Sequence, residues 1–103
     1  MEPKEITGKD LIEAMNNGSV FFDVREEYEV AELAYDVDVK NIPLGQIQER
    51  INEFPKDKAI VVGCRSGARS MNAAKYLTMV GYTDVSSLEG GILQWEADGH
   101  PTK

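Results

Sequence analysis

A chain of 103 residues suits one domain that buries roughly two-thirds of the surface its unfolded form exposes. Its 42% hydrophobic and 28% charged residues are those of an ordinary soluble globular protein, and a net charge of −7 argues against nucleic acid and anionic membranes as partners. A single cysteine excludes an internal disulfide framework and fits a reducing cytoplasm; no apolar run approaches the ~20 residues of a membrane span, and Met1-Glu2-Pro3-Lys4-Glu5 lacks the basic and apolar regions of a secretion signal.

In chain order, Glu5-Ile6 is a short strand and Thr7 opens a helix, with Asp10 placed to complete a capping box. Leu11, Ile12 and Met15 form the apolar stripe of that helix, and Asn16-Asn17-Gly18 ends it. Val20-Phe21-Phe22-Asp23-Val24 is a second strand, nearly all apolar. Arg25 to Leu33 is rich in helix formers and acidic at its start, which suits the positive end of a helix dipole; its acidic run reads as a solvated helix face. Val37, Val39 and Ile42 alternate imperfectly with polar residues and predict a short edge strand. Pro43 then leads into an amphipathic helix over 44–54 through Leu44, Ile47, Ile51 and Phe54, and Pro55-Lys56-Asp57-Lys58 is a turn.

Ala59-Ile60-Val61-Val62-Gly63 reads as a strand buried on both faces, as in a parallel sheet. From Ser70 the apolar positions Ala73, Ala74, Leu77 and Val80 fall on one helix face, and Gly81 supplies the stop. Asp84 to Leu88 is a further strand. Glu89-Gly90-Gly91 turns into a short helix over 92–97, closed by Gly99-His100-Pro101. Adjacent glycines after a strand mark either tight backbone packing or a ligand approach. Buried strands alternating with helical segments predict an α/β fold of about five strands, with helices on both faces.

Cys64 therefore sits between the carboxyl end of a strand and the amino end of a helix. A thiol becomes nucleophilic when it ionises, and a helix amino end and neighbouring cations both favour that; here Arg65 and Arg69 are the cations. Ser66, Gly67 and Ala68 are small enough to let the backbone curl so that successive N–H groups form an anion-holding concavity. The alternative is a cysteine that merely fills the core, but two arginines beside an inert thiol are costly to bury. His100, the only histidine, reads as a surface turn residue, so a cysteine–histidine pair is a weak hypothesis. One histidine and one cysteine make a zinc site improbable.

Cys64-Arg65-Ser66-Gly67-Ala68-Arg69-Ser70 resembles the active-site loop of rhodanese-like sulfurtransferases. Asp23-Val24-Arg25-Glu26 is similar to the amino-terminal Asp-x-Arg motif of that family, and Leu88-Glu89-Gly90-Gly91-Ile92-Leu93-Gln94-Trp95 to its Gly-Gly-x-x-x-Trp motif; Gly99-x-Pro101 also fits. The resemblance implies a single rhodanese-like domain over residues 1–103, with a mostly parallel five-stranded sheet and helices on both faces. It implies that Cys64 takes the outer sulfur of a small anionic donor such as thiosulfate, carries it as a persulfide, and passes it to cyanide, a thiol or a protein acceptor. Arg65 and Arg69 would hold the donor, and the amides from Arg65 through Ser66, Gly67, Ala68 and Arg69 to Ser70 would stabilise the persulfide. Asp23 and Arg25 carry over as supporting residues behind the loop, and no cofactor or metal is implied.

The chain departs from the family over Ala34 to Asn41, where members commonly carry a His-Ile-x-Gly-Ala-like segment; the added acid there makes the pocket entrance less welcoming to anions. Two other functions are open. Cysteine phosphatases and arsenate reductases also hold an oxyanion over a thiolate, but the phosphatase loop holds one residue more than the four between Cys64 and Arg69, and the shorter loop suits sulfur better than phosphate. A rhodanese-fold module used only for protein binding or regulation is the second; inactive members usually lose the cysteine, which this chain keeps.

Overall fold

The computed structural model describes residues 2–103. Strands β1 (Lys4–Ile6), β2 (Val20–Asp23), β3 (Lys40–Asn41), β4 (Ile60–Gly63) and β5 (Val85–Leu88) form one sheet in the order β1-β5-β4-β2-β3. Every neighbouring pair is parallel, so each connection must cross from one end of the sheet to the other. Helices α1 (Gly8–Asn16), α2 (Glu27–Glu32) and α3 (Ala68–Met79) lie on these crossovers, and α4 (Gly91–Ala97) follows the last strand. Among the described residues no helix is long and apolar enough to cross a membrane.

The apolar strands are covered on both faces, and their alternation sorts side chains to opposite layers. Phe22, Ile60 and Val62 pack with Ala73, Ala74 and Leu77 of α3, whereas Phe21, Val61 and Leu88 pack with Leu11 of α1 and with Ile92 and Trp95 of α4. Helix α1 starts as its sequence predicts: the Asp10 amide donates to Thr7 Oγ1 at 3.2 Å, and the Thr7 amide donates to Asp10 Oδ2 at 3.3 Å.

Two segments differ from expectation. The amphipathic helix over 44–54 is instead two short 3-10 turns, Leu44–Gln46 and Ile51–Glu53. Pro55 holds Phe54 extended, at φ −94° and ψ 116°, and the Tyr82 hydroxyl takes the carbonyls of Ile51 and Phe54 at 3.1 and 2.7 Å. The edge strand predicted between Tyr35 and Ile42 shrinks to Lys40–Asn41, paired with Phe22 and Asp23. Tyr35, ahead of it, is fully buried and bridges antiparallel to Thr102, while the amides of Ala34 and Lys103 each donate to the other's carbonyl at 2.7 and 2.9 Å.

The strand order also locates a crevice. From β2 the chain moves outward to β3, and from β4 it moves the opposite way to β5. Ligands in open α/β sheets bind where such connections diverge, outside the carboxyl ends of the strands. Here that point lies between Asp23 and Gly63, which are register partners. The residues that follow them are Val24-Arg25 and Cys64. A groove lined by Ser19, Val20, Phe22, Asp38, Lys40 and Glu53 opens elsewhere and includes no residue of the Cys64 loop.

Candidate active site

Cys64 is a free thiol exposing 1% of its surface, at the floor of a loop whose Arg65, Ser66 and Ala68 are exposed. Its sulfur accepts hydrogen bonds from the Gly67 amide at 3.1 Å and the Ser70 amide at 3.4 Å. Gly67 reaches this position at φ 106°, in the left-handed region, just ahead of α3. The Ser70 amide belongs to the first turn of α3, whose N–H groups lack partners within the helix. The loop thus supplies fixed donors from two directions.

The Ser70 hydroxyl adds a third contact, 3.4 Å from the sulfur. The same oxygen lies 3.1 Å from the Gly67 carbonyl and 2.7 Å from the Ser87 hydroxyl, and both serines are fully buried. A thiolate can only accept, so with Cys64 ionised the Ser70 proton can turn to sulfur while Ser87 donates to Ser70 Oγ. Burial works to raise the Cys64 thiol, but the Ser70 hydroxyl and the amides of Ser70, Gly67 and Ser66 outweigh it. The thiol is held below its ordinary value. After burial, which raises it, the influences that lower the thiol are thus hydrogen bonds, where the sequence points to Arg65 and Arg69.

Support for the loop comes from behind. The Cys64 carbonyl accepts from the Tyr35 hydroxyl at 2.7 Å and from the Ile92 amide at 2.9 Å, and the Arg65 carbonyl accepts from the Leu93 amide at 3.2 Å. Because a peptide unit is planar and trans, anchoring these two carbonyls toward α4 turns the amides of Arg65 and Ser66 the other way. Gly91 makes the close approach feasible: at φ 59° it sits where a Cβ would run into the Arg65 carbonyl and the Cys64 oxygen. The paired glycines therefore serve tight backbone packing beneath the loop. Burial, with the Asp23 charge behind it, pushes the Tyr35 phenol well up, so it remains a neutral donor.

Asp23 and Arg25 form a buried ion pair, with Arg25 Nη2 at 2.7 Å and Nε at 3.0 Å from Asp23 Oδ2. The Arg25 guanidinium also stacks over the Tyr35 ring at 5.5 Å. Asn41 Nδ2 donates to the carbonyls of Asp23 and Arg25 at 2.8 and 2.9 Å. These groups hold the end of β2 against Tyr35 and do not touch the sulfur through any hydrogen bond among the described residues.

Arg69 makes a two-pronged ion pair with Glu29 of α2, Nη1 to Oε1 at 2.7 Å and Nη2 to Oε2 at 2.8 Å. The Arg69 hydrogen bonds hold the Glu29 carboxyl down at about 2 against the opposing effect of burial, and the same bonds push Arg69 up. The acidic run on α2 is therefore not wholly a solvated face, because Glu29 turns inward. Arg65 makes no ion pair among the described residues. His100 stacks on Trp95 with ring centroids 4.5 Å apart and makes no hydrogen bond to Cys64 among the described residues.

Of the loop residues named from sequence, Gly67 and Ser70 hydrogen-bond the sulfur and the Arg69 guanidinium is held by Glu29; Tyr35, Ser87 and Glu29 escape the sequence reading. Ser86 and Ser87 inside a buried strand were a usable signal, since buried hydroxyls need partners. Glu29 carried none, lying 40 positions from Arg69.

Residues 7–98 match the Rhodanese-like domain family. The chain is 42% identical over 98% of its length to YtwF of Bacillus subtilis, a protein named a candidate sulfurtransferase, of which 98% is covered. It is 42% identical over 77% of its length to a sulfurtransferase of Allochromatium vinosum, covering 73% of that protein. A crystal structure of a rhodanese-related protein from Thermoplasma volcanium superposes with a TM-score of 0.86 at 30% identity, covering 97% of each chain.

Proposed function

The chain belongs to the rhodanese-like sulfurtransferase family, and on that basis we propose that Cys64 carries a sulfane sulfur from an anionic donor to a thiophilic acceptor. The observation that carries the proposal is the sulfur at the floor of a strand-to-helix loop, accepting from Gly67 and Ser70. In the first half-reaction the thiolate attacks the outer sulfur of the donor. With thiosulfate, the new Cys64 S–S bond forms as the donor's S–S bond breaks, and sulfite leaves with the electron pair. In the second, cyanide or a thiol attacks the outer sulfur of the persulfide and Cys64 departs as thiolate, so no net oxidation occurs. A thiol already held below its ordinary value needs no separate base, in keeping with His100 lying against Trp95.

In this reading Arg65 meets the donor at the exposed side of the loop, and Arg69 is a second cation beside it. The amides from Arg65 to Ser70 surround the transferred sulfur, while Asp23, Arg25 and Tyr35 keep the loop in shape. Residues 1–103 act as one rhodanese-like domain in the cytoplasm, without a cofactor, on a small sulfur donor and on a small or protein-borne acceptor. The relatives named sulfurtransferases, among them a thiosulfate sulfurtransferase, GlpE of Ectopseudomonas mendocina, at 30% identity over 93% of this chain, favour that chemistry.

Intact-mass measurement after incubation with thiosulfate is the test. The wild type gains ~32 Da, one sulfur atom, and Cys64→Ser gains nothing. Thiocyanate then appears when cyanide is added. Absence of the adduct from the wild type, or Cys64-dependent hydrolysis of an aryl phosphate without thiocyanate formation, overturns the proposal.

A further inference from the structure

The free cation that an anionic donor needs is largely occupied. Glu29 reaches from α2 across the crevice to grip the Arg69 guanidinium with both carboxylate oxygens, at 2.7 and 2.8 Å. Its side chain is 16% exposed and that of Arg69 is 35% exposed, so the pair borders the loop instead of dangling in solvent. Glu29 is the first influence holding Arg69 charged, and the Cys64 charge adds to it in the same direction. Among the described residues Arg65 makes no ion pair. The open side of the loop therefore offers one unpaired guanidinium against one thiolate.

We infer that Glu29 sets which sulfur donor the loop accepts: by holding Arg69 it disfavours dianionic thiosulfate and favours an organic hydropersulfide. The inference rests on the sulfur-transfer reading of Cys64. Thiosulfate brings two negative charges to a thiolate, so the encounter carries three, and like charges repel strongly in a partly dry site. A hydropersulfide reacts as Cys64–S⁻ plus R–S–SH, giving Cys64–S–SH and R–S⁻. The Cys64 thiolate bonds to the outer sulfur, the donor's S–S bond breaks, its electron pair leaves on the thiolate R–S⁻, and the proton stays on the outer sulfur. With the donor in this protonated, electrophilic form one negative charge is present throughout, which Arg65 and the loop amides can offset with Arg69 still paired. Glu29 is thus a specificity-determining residue that acts through Arg69.

The test compares thiosulfate with a small alkyl hydropersulfide on wild type, Glu29→Gln, Arg69→Ala and the double variant. The readouts are the rate of the sulfur-atom mass gain on Cys64 and KM for each donor. Wild type loads faster from the hydropersulfide. Glu29→Gln lowers KM for thiosulfate and raises the thiosulfate-to-hydropersulfide ratio of kcat/KM about tenfold, the scale of one partly screened charge near the loop. In the Arg69→Ala background the same substitution changes that ratio clearly less, because it removes the Glu29 charge but frees no guanidinium. An unchanged or lower ratio in folded Glu29→Gln, or an equal effect with Arg69 absent, overturns the inference while sulfur transfer stands. Glu29→Asp, which keeps the charge but shortens its reach, gives an intermediate ratio. If neither Glu29 variant folds by circular dichroism, the residue is structural and the inference falls. No loading of wild type from either donor overturns the sulfur-transfer reading and this inference with it.

Discussion

At the scale of single residues, the reactivity of Cys64 depends on where protons can point. Its sulfur lies among N–H groups that are fixed by the backbone, and beside one hydroxyl that is not. Ser70 can serve the sulfur only when its proton is not given to the Gly67 carbonyl or to Ser87, and Ser87, 2.7 Å away and buried on β5, leaves that proton free when it donates to Ser70 Oγ. Ser87→Ala is therefore expected to raise the Cys64 thiol and to slow its alkylation by iodoacetamide below the new value, while the alkylation rate at high pH stays close to wild type. It also removes a buried hydrogen bond, at a cost of about 1 kcal/mol in denaturant melts. An alkylation profile that matches wild type would show that the sulfur does not sense Ser87.

At the scale of elements, the loop is shaped by what lies beneath it. Helix α4 begins with Gly91 pressed against the Cys64 and Arg65 carbonyls, and its amides at Ile92 and Leu93 anchor them. Gly91→Ala would force a Cβ into that contact from a positive φ, so a destabilisation of at least about 2 kcal/mol is expected. The thiol would also lose reactivity in the fraction that folds, because freed carbonyls no longer aim the loop amides. Thermal melts and thiol alkylation on the same samples check both parts. Sequence periodicity located α1 and α3 because one apolar face of each packs on the sheet. It failed over 44–54, which forms two short turns, the second ended by Pro55 and bonded through its carbonyls by the Tyr82 hydroxyl from far along the chain.

At the scale of the molecule, one contact joins the two sides of the crevice. Glu29 on the β2 side and Arg69 on the β4 side close it across 40 residues of sequence. The Glu29 carboxyl stands at about 2 in the folded chain, against an ordinary value of 4.5. The unfolded chain thus binds the extra proton between those values, so stability rises with pH there. The contribution of the pair is complete above the unfolded value and is lost as pH falls toward about 2. Melting temperatures measured from pH 7 down to pH 2.5 should fall less steeply for Glu29→Gln than for wild type. Part of the acid slope will persist, because Glu53 is also held at about 2, chiefly by Arg50 and then by Lys40. Equal slopes in the two proteins would mean that the pair does not form in solution.

What the sequence determined by itself is whatever local pattern dictates. The buried parallel strands follow from apolar runs, the placement of Cys64 from a strand running into a helix, and the family resemblance from three short motifs in order. Charge could be read from sequence as well, but its direction could not. The family resemblance assigns Arg69 to the donor, and only the fold brings Glu29 to it from α2. Tyr35 looked like part of an irregular edge, and only the fold buries its ring and places its hydroxyl on the Cys64 carbonyl. The physical reason is the same in each case. Backbone patterns depend on neighbours a few positions apart, whereas the partner of a buried or half-buried polar group is chosen by packing, which joins residues that the chain keeps far apart.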